Sequence, residues 1–168
     1  MASPLDHVDF TKRDEPDWDL GMRDLLVDWL DYQRIQFRRK LRDLDPANSA
    51  GWAVPPLELS VLGLVRHLTQ VEHHYLTWGL GGGEDTLAYG DDDFAGGSAE
   101  SFDDDVRLYL EEVDHADQAI AALGALDSLG LGHGRSLGAT LVKIVQEYAL
   151  HNGQAHMLRY AALGEIIR

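Results

Sequence analysis

The chain carries eight histidines, 29 acidic residues and no cysteine in 168 residues. Thiolate metal ligands, iron–sulfur clusters, disulfides and a cysteine nucleophile are therefore excluded, and any thiol chemistry needs a thiol from outside. Among His7, His67, His73, His74, His115, His133, His151 and His156 the most informative is His151. It shares a helical row with Leu137, Ile144 and Leu158 at steps of seven, which places an imidazole in a core slot among aliphatics. Glu147 precedes it by one turn, at the edge of the same stripe. Two side chains four apart on a helix lie about 5 to 6 Å apart at Cβ, a spacing that lets both hold one divalent cation. Burying a carboxylate and an imidazole among apolar neighbours costs free energy unless something compensates. A cation compensates; a mutual hydrogen bond does so in part. From the residues alone, the pair thus also reads as a plain Glu–His contact at the edge of the stripe.

A third ligand is available from a second segment. His67 lies beside the stripe of Leu64, Val71 and Trp78, pointing toward a neighbouring helix. Two ligands from one helix and one from another make a three-ligand site of the Zn²⁺ type, with a position open for water or substrate. His74 is seven residues further on, about 10.5 Å by helix rise, so it does not easily share the ion, though it could line the same cavity. It is the candidate general base for a hydrolase in which the ion activates a water. His73 is expected in solvent. A di-iron carboxylate site needs two Glu-x-x-His pairs. The single one here, Glu112 with His115, falls off its helix's apolar seam, so that reading fails. There is no His-Glu-x-x-His and no Gly-x-Ser-x-Gly elbow.

Four segments with helical periodicity must position these residues, and no stretch alternates in the manner of a strand. The first runs from about Leu20 to Leu44 on a stripe of Met22, Leu25, Leu26, Trp29, Gln33, Phe37, Leu41 and Leu44, ended by Asp45-Pro46. The second runs from about Leu59 to Gly79, with Val61, Leu64, Val65, Leu68, Val71, Tyr75 and Trp78 on one face. The third carries Phe102, Val106, Tyr109, Val113, Ala116, Ile120 and Leu123 at alternating steps of four and three, and Ser101 with Asp104 reads as its capping box. The fourth runs from an N-cap at Ser136 to about Leu163. These are the elements of an all-α four-helix bundle with one long connection. That connection, residues 79–100, is rich in Gly and Asp. Its Gly81-Gly82-Gly83 lacks the Gly-Lys-Ser/Thr of a phosphate loop, and the flanking acids repel phosphate. It reads as a crossover between helices, with a place at the rim of a site as the alternative to a plain link.

Lys plus Arg number 14 against 29 acids, a formal charge of −15, which opposes binding to nucleic acid or an anionic membrane surface. No apolar run reaches the roughly 18 residues of a membrane span. Residues 1–19 form an acidic extension without the hydrophobic core of a signal peptide, and residues 20–168 form the bundle domain. A cytoplasmic protein is expected. A homodimer is compatible with the wide apolar stripes, although no exposed patch can be picked out.

Two motifs resemble a known family. Leu62-Gly63-Leu64-Val65-Arg66-His67-Leu68 with Val71-Glu72 resembles the second-helix motif of the DinB-like metalloprotein superfamily. Glu147-Tyr148-Ala149-Leu150-His151-Asn152-Gly153-Gln154 resembles its fourth-helix motif. The branch is similar to the one that includes mycothiol-dependent maleylpyruvate isomerase, and the similarity runs from about Leu25 to Leu163. The resemblance implies up-down-down-up connectivity, with His67, Glu147 and His151 as ligands of a divalent metal, zinc or nickel. It further implies a transferase or isomerase that uses a low-molecular-weight thiol such as mycothiol or bacillithiol, the metal activating the sulfur against a small electrophile. Arg66 and Arg159 flank the motifs and could hold carboxylates of thiol or substrate, the alternative for each being a plain surface arginine. The lack of cysteine fits an external thiol, and equally fits a non-catalytic, stress-associated metal-binding bundle.

Overall fold

The computed structural model describes residues 3–10 and 15–163; among them every regular element is helical, apart from one isolated bridge between Leu129 and Ser136. The long elements are α1 (Met22–Leu41), α3 (Val61–Glu72), α5 (Phe102–Ala121) and α6 (Leu137–Leu163). Short α2 (Pro46–Ala50) follows α1, capped by the Asp45 carboxylate on the Ala47 amide, with Pro46 in the first turn where its missing N–H costs nothing. α3 continues through a single π turn, His73–Thr77, into α4 (Trp78–Gly81). None of these helices is long and apolar enough to cross a membrane.

Residue pairing shows the directions of the helices. Arg66 meets Asp105 and His73 meets Glu112, so partners on α3 and α5 advance together and the two helices run parallel. Gln33 meets Asn152 and Lys40 meets Arg159, so α1 and α6 are parallel as well. Arg23 reaches the carbonyls of Ile120 and Leu123 while Arg34 reaches Asp117, which sets α1 antiparallel to α5. The long crossover therefore joins two parallel helices, a task that a short turn cannot perform.

The apolar seams of α5 and α6 are buried as their spacing predicts, from Phe102 to Ile120 and from Leu137 to Leu158. Two expected stripes shift. On α1 the buried face is Leu30, Arg34, Phe37 and Leu41, whereas Met22 is exposed and Trp29 sits at the edge. The charge on Arg34 hides this face from any count of apolar residues. Along the second helix, Glu72 is buried at the end of α3, four residues after Leu68. The π turn that follows inserts an extra residue and rotates the face, so Leu76 and Leu80 go inside while Tyr75 and Trp78 move to the margin. The capping box expected at Ser101 does not form. Ser101 is itself near-helical (φ −86, ψ −8), and its one hydroxyl proton has the Asp105 carboxylate at 2.8 Å and the Ser98 carbonyl at 3.1 Å as acceptors.

Of the expected extension over residues 1–19, the stretch 3–10 packs on the bundle, with Leu5 buried and Val8 and Phe10 beside it. Residues 1–2, 11–14 and 164–168, the last being the end of the expected 20–168 domain, lie outside the described residues. An exposed apolar face that the stripes did not mark, Val54, Leu57, Leu150 and Met157, runs along the outer side of α6.

The crossover starts later than expected, since helix persists to Gly81 and the chain departs at Gly82 with φ +82. It then lies directly on α3. At Gly63 a Cβ would overlap the Phe94 carbonyl, so only glycine lets the loop approach this closely. Gly63→Ala is expected to cost about 1–3 kcal/mol, the usual range for overpacking, and to lower the urea midpoint at unchanged m-value. An unaltered midpoint would mean that the crossover does not press on α3.

Candidate metal centre

α3 supplies His67 and α6 supplies Glu147 and His151. Both helices are held at their starts by serines: the Ser60 hydroxyl accepts from the Gly63 amide and the Ser136 hydroxyl from the Ala139 amide. The helices face each other in opposite senses, which brings one ligand atom from each of the three side chains within 4.8 Å of the others. The two imidazole rings are 4.7 Å apart between centroids, and His151 Nε2 lies 3.4 Å from Glu147 Oε2. The side chains of His67, Glu147 and His151 are 21%, 17% and 6% exposed, so the cluster is mostly covered, with His67 and Glu147 the more accessible members.

Each of the three has a partner behind it. His67 Nδ1 donates to Asp93 Oδ2 at 2.7 Å, and His151 Nδ1 donates to Gln154 Oε1 at 2.7 Å. In the neutral ring, a proton held on Nδ1 leaves Nε2 with its lone pair, the tautomer a metal ligand needs. Lys143 donates to Glu147 Oε1, leaving Oε2 turned toward the histidines. Burial holds the His151 imidazole below its ordinary value, with the His67 ring adding to the effect. Burial opposes ionisation of Glu147, but the Lys143 ammonium and the two imidazoles outweigh it and hold the carboxyl below its usual range. These shifts favour a neutral His151 imidazole beside an ionised Glu147 carboxylate. This donor set, with no thiolate and no third histidine, suits a borderline divalent cation and leaves coordination positions open.

The other sequence-derived candidates are placed elsewhere. His74 interacts with Asp85 at 2.9 Å and stacks on Trp78 with centroids 5.2 Å apart, and these contacts join it to the crossover and α4 instead of the triad. Arg66 does not present a free guanidinium. It donates to the Asp92 and Asp93 carbonyls, pairs with Asp105 at 3.7 Å and lies 4.0 Å over the Tyr89 ring. Arg159 is buried and donates to the Lys40 and Arg42 carbonyls at the end of α1. Both guanidinium groups donate to backbone carbonyls, because unpaired carbonyls beyond a helix end and in a loop need donors. His73, expected in solvent, is half-buried: it interacts with Glu112 at 3.1 Å and accepts from the Thr86 amide. Glu112 is consequently buried although it lies off the seam, while His115 stays exposed, so no second ligand pair forms there.

Sequence reasoning missed Asp93, Phe94, Gln154 and Lys143. Gln154 and Lys143 carried a signal, standing three and four residues from His151 and Glu147 on one helix face. Asp93 and Phe94 had none, because their distance from His67 is closed by the crossover alone.

One protein-family model, described as mycothiol-S-transferase, matches residues 25–164. No curated protein and no solved structure matches the chain.

Proposed function

The chain belongs to the mycothiol-S-transferase family, and we propose that it is a divalent-metal-dependent transferase joining a mycothiol-like thiol to a small electrophile. The observation that carries this reading is the convergence of His67, Glu147 and His151 within 4.8 Å, on the two motif-bearing helices of a chain without a thiol of its own. A bound Zn²⁺ or Ni²⁺ would supply positive charge that lowers the pKa of an incoming thiol, making thiolate available at neutral pH. The protein's part is to hold the ion through His67 Nε2, His151 Nε2 and a Glu147 oxygen. Lys143 keeps the other Glu147 oxygen occupied, so the carboxylate would offer the ion one oxygen. Phe94, stacked 4.2 Å from the His67 ring, covers one flank against water. In the reaction a sulfur–carbon bond forms, the leaving group departs with its electron pair, and the thiol proton passes to solvent.

The test is conjugation of mycothiol to monochlorobimane by protein loaded with Zn²⁺, with Ni²⁺ or with neither, beside glutathione and cysteine as thiols. Rates that require the metal and favour mycothiol by ten-fold or more are expected. Metal-loaded protein that is no faster than solution with every thiol would overturn the reading and leave a metal-binding bundle without this activity.

A further inference from the structure

Asp91, Asp92 and Asp93 form an acidic run in the crossover, and such a run ordinarily stays in water. Asp91 and Asp92 do so, but Asp93 turns inward until its side chain is 14% exposed. Its Oδ2 accepts from His67 Nδ1 at 2.7 Å and from Gln70 Nε2 at 3.1 Å, while Oδ1 accepts from the Phe94 amide at 2.9 Å. The next residue, Phe94, lies over the same imidazole, its ring inclined by only 23°. One dipeptide of the loop thus grips His67 by an edge and a face.

We propose that Asp93 is a positioning residue for the metal centre: by accepting the Nδ1 proton of His67 it fixes the tautomer, orients the ring and strengthens Nε2 as a donor to the ion. The proposal rests on the metal reading above and adds that the crossover completes the site. A carboxylate behind one histidine and the neutral Gln154 amide behind the other make the two imidazoles unequal donors, His67 being the stronger, because a hydrogen bond to an anion transfers more charge to the ring. Loop attachment does not account for the contact. Arg66 holds the carbonyls of Asp92 and Asp93, Gln70 holds the Gly90 carbonyl and the Tyr89 amide, and the Tyr89 hydroxyl donates to Asp105 at 2.8 Å. These anchors remain when the Asp93 carboxylate is removed.

The experiment compares wild type, Asp93→Ala and Asp93→Asn in two measurements. Proton–nitrogen correlation spectra of the histidine rings in metal-free protein read the His67 tautomer. Titration with Co²⁺, followed by its visible absorption, reads affinity. We expect His67 to carry its proton on Nδ1 in wild type and to lose that preference in Asp93→Ala. Co²⁺ affinity should fall about 10- to 100-fold, the usual effect of removing such a partner. Asp93→Asn, whose amide oxygen still accepts, should retain the tautomer and fall between the two. Melting temperatures measured without metal report folding separately. If Asp93→Ala folds and keeps both the tautomer and the wild-type Co²⁺ affinity, Asp93 has no positioning role while the metal reading stands. If wild type takes up no Co²⁺, the metal reading fails and this proposal with it.

Discussion

His151→Ala is expected to empty the metal centre. Wild-type protein, purified without a tag and dialysed without chelator, should retain about one Zn or Ni per chain, and the variant close to none. The imidazole belongs to the three side chains proposed to hold the ion and is the most buried of them. Its loss should therefore exceed the roughly 10- to 100-fold penalty typical of an outer partner. Glu147 and His67 alone would leave an ion with two protein donors from different helices. A second measurement separates loss of binding from loss of folding. Ligand that binds only the folded state stabilises it by about 2.7 kcal/mol at one hundred times Kd, so added Zn²⁺ should raise the wild-type melting temperature and leave that of His151→Ala unchanged. Glu147→Gln should behave similarly, because the amide is a far weaker ligand. A wild type that is folded, metal-free and indifferent to added Zn²⁺ or Ni²⁺ would show that the three side chains are a polar contact and nothing more.

Arg34→Met is expected to destabilise the bundle by about 3–5 kcal/mol, the usual cost of stranding a buried charge. Arg34 on α1 donates from Nε and Nη2 to the two oxygens of Glu72 on α3, at 2.7 and 2.6 Å, and both residues are almost wholly inside. Tyr148 on α6 donates to Glu72 Oε1 at 2.5 Å, and the Tyr109 hydroxyl of α5 lies 2.9 Å from that of Tyr148. With Tyr148 committed to Glu72, Tyr109 is the donor in that second bond. One side chain from each long helix thus enters a single chain of charge-assisted hydrogen bonds. Burial pushes both tyrosine hydroxyls up, the Glu72 charge adding to the effect, so they remain protonated donors. Methionine at 34 would remove the bidentate partner and leave the Glu72 carboxylate with tyrosine alone. Against a total stability of about 5–15 kcal/mol this is a large share. The double variant Arg34→Met, Glu72→Leu should recover most of the loss, since no charge is then stranded and the pair is replaced by packing. Urea unfolding of both variants decides it. Equal destabilisation by the single and double variants would mean that the network contributes its own attraction, beyond avoiding an unpaired charge.

The seams of α5 and α6 were legible because their inward rows are almost purely apolar, and a helix exposes its inward row by arithmetic. The α1 face was misread for the converse reason. Its largest buried side chain, Arg34, is charged, and its justification sits 38 positions away at Glu72. The π turn after Glu72 likewise leaves no mark in an apolar count, yet it moves Tyr75 and Trp78 to the margin and brings Leu76 in.

The sequence by itself determined what depends on one helix axis. Glu147 and His151 share a face because they stand four apart, Lys143 and Gln154 fall in reach of them by the same geometry, and the absence of cysteine removes every thiolate. Only the tertiary structure decided what depends on two axes or on a loop's return path. That includes the approach of His67 to the pair, the buried Arg34–Glu72 link, and the descent of Asp93 onto a histidine 26 residues before it. The helical period fixes a side chain's angle about its own helix, but the setting of neighbouring helices follows from all the packed surfaces together, and a Gly-rich crossover has no period from which its landing point could be read.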